Sequence, residues 1–258
     1  MSVLAIQSLS KAFGGVHAVN EVSFAIERGE FLAMIGPNGA GKSTCFNMIN
    51  GQLKPDSGEI LLADQNIAGL KPREIWRLGV GRTFQVAATF HSMTVVENVQ
   101  MALISYARGI YGLWRPAAAQ HRERALELLA QVGMQEAADR PSRELAYGDV
   151  KRVELAIALA NEPRLLLMDE PTAGMAPRER NELIALVKRL VLERGISVLF
   201  TEHSMDVVFS YADRIIVLAR GRLIADGNAA AIRENRQVRE VYFGTGKTFT
   251  PASQGTAP

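Results

Sequence analysis

A glycine-rich turn that follows a short apolar segment is the feature that most constrains how this chain can fold. The turn comprises nine consecutive residues: Gly36, Pro37, Asn38, Gly39, Ala40, Gly41, Lys42, Ser43 and Thr44. It fits the pattern GxxxxGK[ST], with an apolar strand predicted over residues 31–35 and a helix over residues 42–50. This order of strand, turn and helix is typical of a phosphate-binding loop in an α/β domain.

The residue types in this phosphate loop suit a chain of phosphate groups. Glycines let the backbone approach the phosphates closely and direct N–H groups toward them. The helix that follows adds about half a positive charge at its N-terminus. Lys42 would place an ammonium group on the terminal phosphates, and the Ser43 hydroxyl would coordinate Mg²⁺. All nine residues of the loop are therefore predicted to bind a nucleotide.

Two later apolar segments end in side chains that suit phosphate hydrolysis. Asp169 and Glu170 follow a strand predicted over residues 165–168, and His203 follows one predicted over residues 197–201. The aspartate can hold Mg²⁺, and the adjacent glutamate can polarise an attacking water. His203 would face the γ-phosphate from a neighbouring parallel strand, and Gln85 would touch Mg²⁺ or water. Each residue alone has an ordinary structural explanation, but the phosphate loop upstream favours the functional one.

Short apolar segments alternate with helical patterns, which predicts an α/β fold with a mixed, largely parallel sheet. Residues 1–88 are predicted to form the first part of a nucleotide-binding core, and residues 161–243 the second part. Ala-, Leu- and Arg-rich helical patterns over residues 89–160 predict an inserted helical subdomain. Residues 244–258 are rich in Gly, Thr, Ser and Pro, which predicts a disordered tail.

Other elements are predicted from the same patterns. Strands are expected over residues 4–9, 19–26, 214–219 and 222–225, and helices over residues 73–78, 120–132, 150–160 and 178–193. Pro55, Ser57 and Gly58 predict a turn between the first helix and the helix at residues 73–78.

Composition argues against several classes of protein. Lys and Arg number 29 against 27 Asp and Glu, and this net charge of +2 gives no reason to expect nucleic acid or an anionic membrane as a partner. The single cysteine, Cys45, rules out an internal disulfide and fits a reducing cytosol. Because neither a signal peptide nor an apolar stretch of about 18 residues is found, no part of the chain is predicted to span a bilayer. If the protein serves a membrane process, another chain must supply the membrane.

An ordered set of motifs over residues 3 to about 243 resembles the nucleotide-binding subunits of ABC transporters. The set comprises Phe13, the phosphate loop, Gln85, residues 145–149, Asp169, Glu170 and His203. The resemblance implies the ABC ATPase fold, with ATP and Mg²⁺ as ligands and ATP hydrolysis as the activity.

The resemblance also implies a role for individual residues. Phe13 matches the aromatic residue that stacks on adenine, and Val19 is expected to contact ATP beside it. Gln85 matches the glutamine that lies at the contact with the permease. It is also expected to take part in catalysis and in metal binding. Glu170 is similar to the catalytic base, and His203 to the switch histidine.

Residues 145–149 match the signature segment of the family, which is usually LSGGQ. In the family this segment opens a helix that grips the γ-phosphate of ATP bound to the other subunit, so a dimer with two ATP molecules between the chains is implied. The segment here consists of Leu145, Ala146, Tyr147, Gly148 and Asp149. Ala146 lacks the usual hydroxyl, Tyr147 replaces a glycine and Asp149 a glutamine, while Ala176 stands where aspartate is common. Backbone N–H groups and the helix dipole remain, so we expect function to survive.

A narrower resemblance is to the ATPases of branched-chain amino acid importers. It rests on residues 13–19, 82–85, 172–177 and 240–244. It implies uptake of branched-chain amino acids through separate permease subunits, a solute-binding protein acting indirectly, and a paralogue or a second copy as the other ATPase subunit. The chain would then lie on the inner face of the cell membrane. Urea and amide importers have related ATPases and are an alternative.

Two further classes of protein are less consistent with the sequence. A soluble ABC ATPase of DNA repair or translation is disfavoured by the near-neutral charge, the single ATPase unit and the lack of a long coiled-coil pattern. A GTPase typically carries an NKxD guanine motif, which the sequence lacks, and a kinase would lack the signature segment.

Overall fold

The computed structural model describes residues 2–83, 89–107 and 121–243 of the chain. In chain order, the strands and α-helices of these ranges are β1 (Ser2–Phe13), β2 (Val16–Glu27), β3 (Phe31–Ile35), α1 (Lys42–Ile49), β4 (Ser57–Leu62), β5 (Gln65–Asn66), α2 (Pro72–Arg77), β6 (Val80–Thr83), α3 (Val95–Tyr106), α4 (Arg122–Gln131), α5 (Tyr147–Ala158), β7 (Leu165–Asp169), α6 (Pro177–Arg194), β8 (Ser197–Thr201), α7 (Met205–Tyr211), β9 (Arg214–Ala219), β10 (Arg222–Gly227), α8 (Ala229–Glu234) and α9 (Arg236–Phe243).

The central sheet has six strands in the order β10-β9-β3-β8-β7-β6. Neighbouring strands are parallel except for β10 and β9, which are antiparallel. Every residue of β3 and β8 is buried, as expected for parallel strands that are covered on both faces. The carboxyl ends of β3, β8 and β7 therefore meet at one edge of the sheet.

A second sheet contains four antiparallel strands in the order β2-β1-β4-β5. Its first hairpin turns at Gly14 and Gly15, whose φ values of 53° and 84° suit a two-residue turn. Such a turn pairs β1 with β2 directly, so these strands do not join the parallel sheet. The predicted α/β fold with mixed β-structure and a largely parallel core sheet is confirmed. The separate antiparallel sheet of the N-terminal strands was not predicted.

Two hydrophobic cores lie on opposite faces of the central sheet. Alternation along β3 directs Phe31 and Ile35 into one core and Leu32 and Met34 into the other. The first core also takes buried side chains from α3 to α9, and within it the rings of Phe31 and Phe200 stack with centroids 4.5 Å apart. The second core lies between the central sheet, α1 and the antiparallel sheet.

Helices α3, α4 and α5 pack on one another. α3 begins with a capping box in which the Thr94 N–H donates to Glu97 Oε2 at 2.8 Å and the Glu97 N–H donates to Thr94 Oγ1 at 3.3 Å. The Asn98 side chain in α3 donates to Ser142 Oγ at 2.9 Å and thereby joins α3 to the segment before α5. These are the helices of the predicted inserted subdomain, whose boundaries at residues 89 and 160 stay a prediction.

Several boundaries differ from the predictions. α5 begins at Tyr147 rather than at residue 150, because Ala146 supplies the extended N-cap backbone and the signature segment joins the helix. The predicted turn ends before Ser57, which begins β4. The patterns did not predict β4, β5, β6, α7, α8 or α9, which are all short. Gln85 and residues 244–258 lie outside the described residues. None of the helices in the described ranges has the length and hydrophobicity that a membrane-spanning helix requires.

Candidate nucleotide-binding site

The phosphate loop connects β3 to α1, and two of its glycines are required by close backbone contacts. A Cβ atom on Gly36 would lie 2.3 Å from the carbonyl oxygen of Leu218 in β9. A Cβ atom on Gly41 would lie 2.3 Å from the carbonyl oxygen of Ala18 in β2, and the φ of Gly41 is 105°. Strands from both sheets therefore determine the shape of the loop.

Lys42 is the buried cation of the site. Its Nζ donates to the carbonyl oxygen of Gly36 at 2.7 Å and to that of Pro37 at 3.2 Å, so the ammonium group lies inside the loop. Burial lowers the pKa of Lys42, while the nearby carboxylates of Glu170 and Asp169 oppose this shift. The loop, the cation and both acidic residues thus share one electrostatic environment.

Asp169 ends β7 with its carboxylate held on two sides. The Thr201 hydroxyl donates to Asp169 Oδ1 at 2.7 Å, and Arg82 Nη2 lies 3.7 Å from Asp169 Oδ2. Arg82 Nη1 also donates to the side-chain oxygens of Asn47 at 3.2 Å and Gln52 at 3.0 Å. Burial lowers the pKa of Arg82, an effect that Asp169 opposes. The sequence motifs did not predict Thr201 or Arg82 as parts of the site.

Glu170 and His203 form a direct pair at the same edge of the sheet. Glu170 Oε1 lies 2.8 Å from His203 Nε2. The Glu170 N–H donates to the Thr201 hydroxyl at 3.0 Å and to the Thr201 carbonyl oxygen at 3.1 Å, which fixes the strand end. The φ of Glu170 is 49°, a left-handed conformation that is uncommon for a non-glycine residue and frequent at functional sites. A carboxylate oriented in this way can accept a proton from water.

Glu202 is a further residue of the site that no sequence motif predicted. Its buried carboxylate accepts hydrogen bonds from the Thr172 hydroxyl at 2.6 Å and the Thr172 N–H at 3.1 Å. Its other oxygen accepts from the His203 N–H at 3.1 Å. Glu202 thereby connects the turn after Glu170 to the residue that pairs with it. Its only sequence signal is its place between a strand and His203.

Phe13 lies at the tip of the β1–β2 hairpin, and 51% of its surface is exposed. The hairpin is stabilised by Asp56, which accepts from Lys11 Nζ at 2.6 Å and from the Ala12 N–H at 2.8 Å. These hydrogen bonds, led by that from Lys11, lower the pKa of Asp56. Val19, further along β2, is fully buried beside Gly41. Contact of Phe13 and Val19 with a nucleotide stays a prediction.

The signature segment forms the exposed N-terminus of α5. Ala146 is the N-cap residue and makes no side-chain hydrogen bond to the helix. Tyr147 is 45% exposed, and Lys151 Nζ lies 5.5 Å from the centroid of its ring. Gly148 packs near Met175, in the turn that follows Glu170. The free N–H groups of this first turn suit an anion.

The side chains at the sheet edge fit a magnesium ion that is bound mainly by phosphates. Ser43 offers a hydroxyl and Asp169 a carboxylate, and Mg²⁺ in such sites takes few protein ligands besides the phosphates. Among the described residues there is no group of three or more His, Cys, Asp or Glu side chains that could hold a metal alone. Gln85, the third predicted metal ligand, lies outside the described residues.

Comparisons with known proteins place this geometry among ATP-binding proteins. Residues 19–173 match the family model described as ABC transporter, and residues 222–248 match the model described as branched-chain amino acid ATP-binding cassette transporter. The chain is 39% identical to the high-affinity branched-chain amino acid transport ATP-binding proteins LivG of Escherichia coli and BraF of Pseudomonas aeruginosa. Each alignment covers 94% of this chain and 98% of the relative.

Solved structures of ATP-binding cassettes share the fold of this chain over most of its length. An ATP-binding cassette of an ABC transporter in its ADP conformation superposes with a TM-score of 0.85 at 32% identity, covering 95% of this chain and 99% of the other. A dimeric ATP-binding cassette in a post-hydrolysis state with ADP and Pi gives a TM-score of 0.74 at 29% identity, covering 88% of this chain and 98% of the other.

Proposed function

Because this chain belongs to the ABC transporter family of ATP-binding proteins, we propose that it hydrolyses ATP to drive uptake of branched-chain amino acids through a separate permease. The observation that carries the hydrolytic part is the Glu170–His203 pair at the sheet edge that also bears the phosphate loop. The proposed substrate is supported by similarity to importer ATPases over nearly the whole chain and by the C-terminal family match.

The chemistry follows from the side chains at that edge. Lys42 and the loop N–H groups would bind the terminal phosphates, and Ser43 and Asp169 would hold Mg²⁺, which offsets phosphate charge when bound. Glu170 would orient a water for in-line attack and accept its proton. His203 would keep the Glu170 carboxylate in position and support the γ-phosphate. Gln85 is proposed to complete the metal and water contacts.

The active form is proposed to be a dimer with two ATP molecules between the subunits. Residues 145–149 of one chain would place the N-terminus of α5 on the γ-phosphate held by the other chain. The exposed first turn of α5, without a side-chain cap, and the dimeric solved relatives support this arrangement. The second ATPase subunit is a paralogue or a second copy of this chain.

Coupling to transport would pass through the helices between residues 89 and 160. Closure of the dimer would move Gln85 and these helices against the permease subunits, and hydrolysis would reopen the dimer. A solute-binding protein would deliver the amino acid on the other side. The chain is accordingly proposed to lie in the cytoplasm, on the inner face of the cell membrane.

The hydrolytic role is tested by Glu170→Gln. The amide keeps the shape of the side chain but cannot accept a proton, so we expect turnover to fall about 10²–10⁴-fold. Binding of ATP should persist, and dimers should accumulate with Mg-ATP in size-exclusion chromatography. Glu127→Gln, an exposed carboxylate on α4 that pairs with Arg124, is the matched control and should hydrolyse ATP normally. Retained turnover in Glu170→Gln would remove this residue from the role of base.

The substrate is tested by uptake. Cells that lack this chain should lose uptake of labelled leucine and regain it when the chain, but not its Glu170→Gln variant, is restored. Restored uptake of urea or an amide, with leucine uptake unaffected throughout, would favour the alternative importer class.

A further inference from the structure

A cleft of about 500 Å³ opens at the edge of the central sheet opposite the phosphate loop. Three arginines line it, and we call it the arginine cleft. Arg28 precedes β3, Arg164 directly precedes β7, and Arg194 ends α6 shortly before β8. These are the amino ends of the strands whose carboxyl ends carry the candidate active site. The turn between β4 and β5, with Asp64, forms another wall of the cleft.

The arginine cleft carries uncompensated positive charge. Toward the residues that the structure describes, Arg28, Arg164 and Arg194 form no ion pair within 4.0 Å and donate no side-chain hydrogen bond. Of the two acidic residues in the lining, Glu162 is already paired with Arg124 at 3.0 Å. Asp64 is the remaining carboxylate of the lining, so the three arginines of the lining exceed it by about two positive charges.

An anion bound in the cleft would reduce the repulsion among these arginines. Burial lowers the pKa of Arg194, and the positive charge of the neighbouring Arg124 lowers it further, against the opposing effects of Glu162 and Glu193. Arginine residues from three separate parts of the chain line one cleft, although like charges repel. Arginine forks match phosphate oxygens in geometry and charge, so phosphate is the anion that this arrangement suits best.

We propose that the arginine cleft binds a phosphomonoester with a hydroxyl-bearing body. A phosphomonoester carries a charge of about −1.5 to −2 at neutral pH, which matches the excess positive charge of the cleft. The cleft volume lies in the range of about 300–1,000 Å³ that small-molecule sites occupy. Asp64 can accept a hydrogen bond from a hydroxyl on the body of the ligand. This site is separate from the phosphate loop and independent of the proposed transport function.

The proposal is tested by calorimetric titration of the full chain with glucose 6-phosphate, in saturating Mg-ADP so that the phosphate loop is occupied. We expect one saturable site per chain, with affinity reduced at least about tenfold in Arg164→Gln and in Arg194→Gln. Arg178→Gln, at the exposed start of the same helix as Arg194, is the matched control and should bind as the unaltered chain does. Circular dichroism verifies that each variant is folded.

A second arm distinguishes a soluble phosphomonoester from a lipid headgroup. Phosphatidylcholine vesicles with and without phosphatidic acid are sedimented with the same proteins. Binding to phosphatidic acid vesicles that is lost in Arg164→Gln and Arg194→Gln would support the same phosphate chemistry with a lipid source. Absence of saturable binding in both arms, or binding that these variants leave unchanged, would overturn the proposal. ATP hydrolysis should be unaffected in all three variants, so this outcome does not depend on the proposed function.

Discussion

The Thr201 hydroxyl organises both carboxylates of the candidate site. It donates to Asp169 Oδ1 and accepts from the Glu170 N–H, so one side chain positions the proposed metal ligand and the proposed base. Lys42 supplies the opposing charge from the loop. Because Thr201 is hydrogen-bonded to both Asp169 and Glu170, a shift of one of these residues would displace the other two.

The loop glycines give a prediction at the same scale. Gly41→Ala should destabilise the fold by roughly 2–4 kcal/mol, because the new Cβ would meet the Ala18 carbonyl oxygen and the backbone is left-handed. Nucleotide affinity should fall as well, since relief of the contact displaces the loop. Urea unfolding and titration with a fluorescent ATP analogue measure the two effects.

Gly29→Ala is the control for this prediction. Gly29 also has a positive φ, 73°, but no atom lies within 4 Å of its potential Cβ. Its cost should be only about 1–2 kcal/mol of backbone strain, with nucleotide affinity unchanged. Equal losses of nucleotide affinity in Gly29→Ala and Gly41→Ala would show that the close contact at Gly41 is not the cause of the loss.

At the scale of elements, the N-terminus of α5 depends on backbone rather than side-chain groups. Ala146 provides no hydroxyl, so the first-turn N–H groups and the helix dipole must supply the affinity for phosphate. Tyr147 and Asp149 belong to the helix itself, so the departures from the usual signature residues leave its first turn intact.

Ala146→Ser is therefore expected to leave ATP binding unchanged and to alter the rate of hydrolysis only modestly. The new serine hydroxyl could cap α5 or donate to the phosphate of ATP bound to the other subunit. Either contribution to phosphate affinity is small beside that of the backbone N–H groups. Steady-state ATPase rates and nucleotide titrations measure the result. A large gain in rate would show that the natural alanine disables the signature segment.

Tyr242 of helix α9 lies beside the start of the phosphate loop, on the side of the first core. The ring packs against the first core and lines a cavity of about 40 Å³ with Ile35, and the Gly36 N–H lies near the hydroxyl oxygen. Burial raises the pKa of Tyr242, an effect that the Gly36 N–H opposes. The C-terminal segment with its own family match therefore touches the first residue of the phosphate loop.

Tyr242→Phe should weaken ATP binding several-fold, corresponding to about 1 kcal/mol, because the Gly36 N–H loses the oxygen that lies near it. Nucleotide titration measures the change, and thermal unfolding verifies the fold. Tyr211→Phe is the control, since the Tyr211 hydroxyl donates to the Asn181 carbonyl oxygen at 3.5 Å, far along the chain from the loop. Equal affinity of Tyr242→Phe and the unaltered chain would refute the role of this hydroxyl.

At the scale of the whole molecule, one sheet separates two cores and presents the site at its edge. Phe200 stacks on Phe31 in the first core and is fully buried. Phe200→Ala should cost about 3–5 kcal/mol of stability, measured by urea unfolding. Phe13→Ala, on the exposed hairpin, should stay within about 0.5 kcal/mol of the unaltered chain while losing ATP affinity. Similar stability losses in both variants would contradict this division between core and surface.

The sequence predicted the parts of the fold that local patterns encode. The phosphate loop, β3, β7, β8 and α6 were found within one or two residues of their observed bounds, since each has a long apolar pattern or a motif at its end. The short strands β4, β5 and β6 and the helices α7 to α9 were missed, because a few residues carry too little periodic signal. The separate antiparallel sheet was missed because pairing partners are not encoded locally.

Sequence alone determined which chemical groups are available: the phosphate loop, Lys42, Asp169, Glu170 and His203, each recognisable from its immediate neighbours. Tertiary structure decided what surrounds them. Parallel strands bring distant segments of the chain side by side, which adds Thr201, Arg82 and Glu202 to the site. The same arrangement places three arginines in the lining of one cleft at the opposite edge. Local backbone preferences act over a few residues, whereas these contacts arise from burial of the whole sheet between two cores.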